Sequence, residues 1–112
     1  MFWAVLLFGL YAGAIADNGA LIISSTNSQT LSGNISGSGK IVTSTGAAAL
    51  TLSGSNTYSG GTTLGSSATI NINTTNAIGT GTFTIGGNGT FDNTSGASVT
   101  NANNNTLTLS GG

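Results

Sequence analysis

The sequence predicts an all-β protein, a parallel β-helix (β-solenoid) of about five coils with roughly 20 residues in each. Two features of the chain from Asp17 onward indicate this fold. Apolar clusters return about every ten residues, with Gly, Asn and Ser between them. Within the best clusters, apolar residues alternate with Thr or Asn. Helix is not expected beyond the N-terminal segment, because no window of about eleven residues has the spacing of an amphipathic helix.

The apolar clusters are the expected strands. In the clearest of them the period is two, since Leu50 and Leu52 flank Thr51, and Leu107 and Leu109 flank Thr108. Successive side chains of a strand point to opposite faces, so the apolar ones are expected inside and Thr and Asn in water. The clusters lie at residues 21–23, 31, 41–42, 50–52, 64, 70–72, 83–85, 91, 99 and 107–109.

Short internal repeats support coils of constant length. The string Leu-Thr-Leu-Ser-Gly at residues 50–54 recurs at residues 107–111, and residues 30–33 carry a partial third copy. The offsets are 57 and 21 residues, which are near multiples of a coil of about 20. Leu, Ile, Val and Phe form only roughly a fifth of the chain after Ala16. So thin a core suits a narrow solenoid, in which each layer buries few side chains.

The composition excludes most kinds of catalytic and binding site. Charged residues make up 3% of the chain, with one Lys, two Asp and neither His nor Cys. Zinc sites need Cys or His, nucleic-acid binding needs rows of basic residues, and general acid–base catalysis needs a titratable group beside its partner. Asp17, Lys40 and Asp92 are scattered along the chain. We therefore expect no enzymatic activity, no cofactor or metal ion, no small-molecule substrate and no nucleic-acid partner.

Residues 1–16 form a separate apolar segment, MFWAVLLFGLYAGAIA. It ends in the A-x-A pattern of a signal-peptidase site, and its 16 residues are short for a bilayer span of about 20. We predict a cleaved secretory signal peptide followed by one solenoid region over residues 17–112, although no Lys or Arg precedes the apolar run. The alternatives are an uncleaved membrane anchor, a buried first strand, or an artefactual start of a truncated reading frame.

Residues 41–72 carry the most specific strings in the sequence. They include L-T-L-S-G at residues 50–54 and N-T-Y-S-G-G-T-T at residues 56–63, and N-A-I-G-T-G follows at residues 76–81. These strings closely resemble the passenger-associated transport repeat of bacterial autotransporters, also called the autotransporter-associated β-strand repeat. The resemblance covers the core motif directly and most of the remaining chain more loosely.

The resemblance implies a right-handed β-helical passenger segment of a type V secreted protein, exported through the periplasm to the cell surface or the medium. Its implied function is structural, namely to support export, folding and surface display. Family members end in an outer-membrane β-barrel translocator, which is the implied partner. The aromatic-girdled strands of such a barrel are not found in this sequence, so we expect the chain to be a fragment of a longer passenger.

The same resemblance supplies the candidate site residues, which are structural residues of the repeat. Tyr58 is interpreted as closing the turn before the glycine pair rather than as a contact for a glycan or a protein partner. The motif residues are Leu50, Leu52, Gly54, Asn56, Tyr58, Gly60, Gly61 and Thr62.

Two other functions remain open. Surface β-helices have long flat faces and open coil edges, so the chain is alternatively an adhesin or a self-association module. The second alternative is a disordered low-complexity linker, because Gly, Ser, Thr and Asn supply more than half of the residues after Ala16.

Overall fold

The computed structural model describes residues 2–5, 9–103 and 105–109. Within these ranges the chain forms thirteen short β-strands and no helix. The strands are β1 (Phe2–Val5), β2 (Gly9–Tyr11), β3 (Ile15–Ala16), β4 (Ala20–Ile23), β5 (Gln29–Leu31), β6 (Ile35–Ser36), β7 (Lys40–Thr43), β8 (Leu50–Leu52), β9 (Thr62–Leu64), β10 (Thr69–Ile72), β11 (Phe83–Ile85), β12 (Thr90–Asp92) and β13 (Leu107–Leu109).

The strands lie in three parallel sheets along the solenoid. The six-stranded sheet has the order β1-β4-β7-β9-β11-β13, the five-stranded sheet β12-β10-β8-β5-β2, and the two-stranded sheet β3-β6. Consecutive strands of the chain belong to different sheets, and neighbours within a sheet are one coil apart, so the chain winds around a common core. This is a parallel β-solenoid of about five turns, and the predicted fold is confirmed. The right-handedness that the resemblance implies stays a prediction.

Coil length is nearly constant until the last turn. From β2 to β12, paired strands of adjacent coils join residues that are 20 or 21 positions apart, as in the pairing of Leu21 with Ile41. The pairing of β1 with β4 has a shorter offset of 18 positions. The last turn is longer, because the Asn105 amide reaches the Gly81 carbonyl across 24 positions. Because a one-residue slip would turn every side chain of a strand to the opposite face, coils of equal length keep the apolar residues inside.

The core is a column of apolar side chains stacked coil on coil. Its largest fully buried members include Tyr58, Ile23, Leu31, Ile35, Ile41, Leu50, Leu52, Leu64, Ile70 and Ile78. Seven polar residues of the described part of the chain are also buried: Asp17, Ser25, Gln29, Thr43, Asn56, Thr62 and Asn71. The expectation that Thr and Asn face water is therefore wrong for Thr43, Asn56, Thr62 and Asn71. Thr43 accepts the N–H of Gly65 at 3.0 Å, and the Asn71 amide donates to Oγ1 of Thr51 at 3.1 Å. The hydrogen bonds of the other two are described below.

One of the sequence repeats is not a structural repeat. Residues 50–52 form β8 in the five-stranded sheet, whereas residues 107–109 form β13 in the six-stranded sheet. The interpretation of the offset of 57 residues as a multiple of the coil is therefore wrong. The offset of 21 residues is confirmed, because Leu31 and Leu52 are paired neighbours in the sheet.

The described part of residues 1–16 stacks on the coil that follows it. Strand β1 pairs with β4, β2 with β5, and β3 with β6. This arrangement is compatible with the alternative in which the segment supplies a first strand. Met1 and residues 6–8 lie outside the described residues, and the signal peptide stays a prediction.

Both ends of the solenoid expose apolar side chains. Leu10 is 70% exposed near the N-terminal end, and Leu107 and Leu109 are 58% and 70% exposed at the other. The aromatic ring of Phe91 in β12 is also partly exposed, and it packs against Phe83 with ring centroids 5.0 Å apart.

Candidate functional site

The predicted motif residues lie in one continuous segment from β8 to the start of β9. Leu50 and Leu52 point inward from β8 and have no exposed surface. In register, Leu52 lies between Leu31 of the preceding coil and Ile72 of the following coil. These two leucines therefore belong to the continuous apolar column.

Gly54 lies where two coils approach closely. A Cβ atom at this position would be 2.1 Å from the carbonyl oxygen of Gly33 in the preceding coil. Since real Cβ contacts are never that short, a larger residue would separate the coils. Gly33 has the same relation to the coil before it, because its own Cβ would be 2.2 Å from the carbonyl oxygen of Gly13.

Asn56 connects three successive coils through its buried side chain. Its Oδ1 atom accepts the backbone N–H of Ile35 at 2.8 Å, and its Nδ2 atom donates to the carbonyl of Ala77 at 2.6 Å. Each partner is 21 positions away, one coil before and one coil after. The backbone N–H of Asn56 also donates to the carbonyl of Asn76 at 3.0 Å. The amide thus replaces sheet hydrogen bonds on the face where the two-stranded sheet ends.

Tyr58 and Thr62 form a second buried polar contact. The phenol oxygen of Tyr58 lies 2.6 Å from Oγ1 of Thr62, which also reaches the carbonyl of Ile78 at 3.3 Å. Burial raises the pKa of Tyr58 above its usual range, and the hydrogen bond with Thr62 only partly opposes that effect. Because Tyr58 has no exposed surface, the phenol is a neutral packing group and cannot reach an external partner.

Gly60 and Gly61 form the corner that follows Tyr58. A Cβ at Gly60 would be 2.5 Å from the carbonyl oxygen of Gly39 in the preceding coil. Gly61 has a φ of 95°, a left-handed conformation that side chains disfavour. The corner is held by the N–H of Gly60, which donates to the Gly39 carbonyl at 2.8 Å. Both glycines are thus needed for the close approach of successive corners.

The arrangement offers packing and hydrogen bonding rather than chemistry. No group of three or more His, Cys, Asp or Glu residues that could hold a metal ion occurs among the described residues. Asp17 is buried at the first corner, whereas Lys40 and Asp92 are exposed on other coils. A search of the same residues for a helix long and apolar enough to cross a membrane found none.

A cleft of about 230 Å³ opens near the last turn. It is mostly apolar, and its walls are formed by Ile78, Phe83, Ile85, Phe91, Leu107, Asn101 and Asn105. It lies at the C-terminal end of the core column, away from the motif, and has no titratable group in its walls.

Sequence reasoning missed several buried polar residues outside the motif, including Asp17 and Gln29. Asp17 has no exposed surface, and Gln29 is 1% exposed. The Gln29 amide donates to Oγ of Ser25 and to the carbonyl of Asn27, both at 3.0 Å. Gln29 aligns with Leu50 in the sheet, and that 21-residue alignment with a core leucine was the available signal for its burial.

Comparisons with protein-family models, with curated proteins and with solved structures found no match to the chain. The similarity of residues 41–72 to the autotransporter repeat therefore depends on the motif strings themselves.

Proposed function

We propose that this chain is a structural passenger segment of a bacterial autotransporter, supporting export, folding and display at the cell surface or in the medium. The observation that favours this function most is the side chain of Asn56, which is buried and hydrogen-bonded to the coils on both sides. The other motif residues also contact neighbouring coils or the core. A motif whose members all contribute to coil stacking suits a structural role.

The proposed mechanism is folding by addition of coils. Stability in a solenoid comes from contacts between nearest neighbours, so a folded coil is a template for the next. Each completed coil offers a free backbone edge, and Asn56 adds a side-chain donor for the coil that follows. The chain contains no Cys, so no disulfide bond can form within it before translocation.

A display assay tests the proposal. The full chain is inserted in place of the stalk of an autotransporter whose shortened passenger no longer reaches the surface, and cleavage by external protease is measured. The wild-type insert is expected to restore display. Leu52→Asp is expected to abolish it, because a buried unpaired charge prevents stacking of the coil.

Two controls make the outcome interpretable. Thr51→Asp changes the neighbouring, outward-facing and half-buried residue of the same strand, and it is expected to retain display. An insert with a shuffled sequence of the same composition is expected to fail. Equal display by the wild-type and shuffled inserts, together with a random-coil circular dichroism spectrum, would favour the disordered linker instead.

Self-association is the second candidate function, and the exposed apolar ends favour it. Leu107 and Leu109 in β13 and Leu10 in β2 present apolar surface at opposite ends of the solenoid. Open coil edges can pair with strands of another copy. Sedimentation of the chain over a range of concentrations distinguishes the candidates, since a mass independent of concentration excludes association through the ends.

A further inference from the structure

Asp17 is a buried carboxyl group at the corner between the first two coils. Its side chain has no exposed surface. Oδ1 accepts the N–H of Gly19 at 3.1 Å, whereas Oδ2 has no hydrogen-bond partner among the described residues. An ionised carboxylate in such a place loses its hydration and gains one hydrogen bond in return, so burial disfavours the charged form.

The backbone of Asp17 holds the two coils together at this corner. Its N–H donates to the carbonyl of Ser36 at 2.7 Å, and its carbonyl accepts the N–H of Gly39 at 2.8 Å. A Cβ at Gly39 would lie 2.4 Å from Oδ1 of Asp17. The carboxyl group therefore rests directly on the backbone of the second coil, and any movement that hydrates it must disturb these bonds.

The surroundings supply little compensating charge. Tyr58 of the third coil interacts electrostatically with Asp17, but its buried phenol is neutral and supplies no positive charge. Lys40 follows the second corner, but its side chain is exposed. Burial raises the pKa of Asp17 above its ordinary value, and the hydrogen bond from Gly19 lowers it by less.

We propose that Asp17 makes the docking of the first coil onto the second coil pH-dependent, tighter when its carboxyl group is neutral and looser when it is ionised. The inference is separate from the function proposed above, and it concerns the chain that retains strands β1–β3, which stack on the second coil. Its sign follows from linkage: a group with a higher pKa in the folded state stabilises folding below its unfolded pKa of about 3.9, and that contribution is lost as pH rises through the folded pKa. Acid therefore strengthens the first corner.

Because the chain contains few titratable groups, a pH-dependent change can be assigned to Asp17. The chain has no His, and Asp92, its only other acidic side chain, is exposed in β12. Asp92→Asn is accordingly a matched control, because it removes one carboxylate without changing the corner. Asp17→Asn keeps the shape of the side chain and removes its titration.

Hydrogen exchange of the full chain at pH 4 and pH 7.5, corrected for intrinsic rates, tests the proposal. The reporters are the backbone amides of Ile15 and Asp17, which donate hydrogen bonds to carbonyls of the second coil. The reference is the amide of Asn73 in the fourth coil, which donates to the carbonyl of Leu52 in the third coil. In the wild type and in Asp92→Asn, the first two amides are expected to be severalfold better protected at pH 4, with a smaller change at Asn73. Asp17→Asn is expected to lose this difference. Equal protection at both pH values in the wild type, or a difference that persists in Asp17→Asn, would overturn the proposal.

A second measurement does not require any variant to fold. The chemical shift of the Asp17 carboxyl carbon is followed by NMR in the intact wild-type chain as pH is changed. A midpoint above that of Asp92 supports the proposal. A midpoint at or below the ordinary value for aspartate refutes it.

Discussion

Replacing Asn56 by Ala removes two hydrogen bonds between coils and leaves the backbone otherwise intact. The change deletes the acceptor for the N–H of Ile35 and the donor to the carbonyl of Ala77, which lie 2.8 and 2.6 Å from the amide atoms. Ile35 and Ala77 are buried residues. Water is therefore a poor substitute for the lost amide, and both backbone groups are left without partners.

The expected cost follows from those two groups. A buried donor or acceptor that loses its partner costs about 1–3 kcal/mol, so Asn56→Ala, which affects one of each, is expected to lower the free energy of unfolding by about 2–6 kcal/mol. A loss of this size is a large fraction of the stability of a small domain, which is about 5–15 kcal/mol. Asn34→Ala is the matched control. Like Asn56, Asn34 accepts a backbone N–H of an adjacent coil, that of Ser55 at 2.9 Å, but this hydrogen bond is exposed. Its expected cost is below about 1 kcal/mol.

Urea unfolding followed by far-UV circular dichroism measures both variants. Asn56→Asp adds a diagnostic that depends on pH, since a neutral carboxylic acid can both accept from Ile35 and donate to Ala77, whereas a carboxylate can only accept. Its cost relative to the wild type is expected to be larger at pH 7 than at pH 4. If Asn56→Ala costs no more than Asn34→Ala, the reasoning that Asn56 holds three coils together is wrong.

Four further substitutions test single contacts or strained backbone positions by the same unfolding measurement. Gly54→Ala is expected to cost about 3 kcal/mol or more, because its Cβ meets the backbone of the preceding coil. Its control is Gly46→Ala, at a φ of 70° with open space around it, which is expected to cost only about 1–2 kcal/mol of backbone strain. Equal costs would contradict the steric argument. Ser67→Gly is expected to gain up to about 1 kcal/mol by relieving a φ of 60°, and a loss would show that the serine is not strained. Tyr58→Phe is expected to cost about 1 kcal/mol, because the Thr62 hydroxyl keeps its other contact, and a neutral effect would mean that the phenol contact contributes nothing.

The strand positions could be predicted from the sequence because apolar alternation reports directly on burial. Strands β7, β8 and β10 fall within clusters of this kind, and their buried residues are apolar except for Thr43 in β7 and Asn71 in β10. The pattern also predicted the coil length, because stacked coils repeat their inward residues at nearly constant spacing. The assignment of each strand to a sheet could not be read in the same way. The strings at residues 50–52 and 107–109 are identical, yet they lie in different sheets.

The polar interior could not be predicted from periodicity alone. Burial of Asn56 and Thr62 depends on partners in other coils, about 21 and 16 positions away, and alternation within a strand carries no information about those partners. Asp17 is the extreme case, since its burial follows from the corner of the second coil, which lies about 20 residues further along the chain. The sequence shows a polar turn at this place, and the cost of burying its carboxyl group emerges only when the coils are stacked.

The motif string at residues 56–63 packs against the string at residues 76–81 of the next coil. The Asn56 side chain donates to Ala77, and the N–H of Thr80 donates to the carbonyl of Tyr58 at 2.9 Å. The ring of Tyr58 also determines which residue the next coil can carry, because a Cβ at Gly79 would lie 3.0 Å from its Cδ1 atom and 2.4 Å from the Tyr58 carbonyl oxygen. The second string is therefore the surface on which the first one packs, one coil later. A short-range pattern such as N-T-Y-S-G-G followed by N-A-I-G-T-G records contacts between coils, which is why the two strings belong together although no strand contains both.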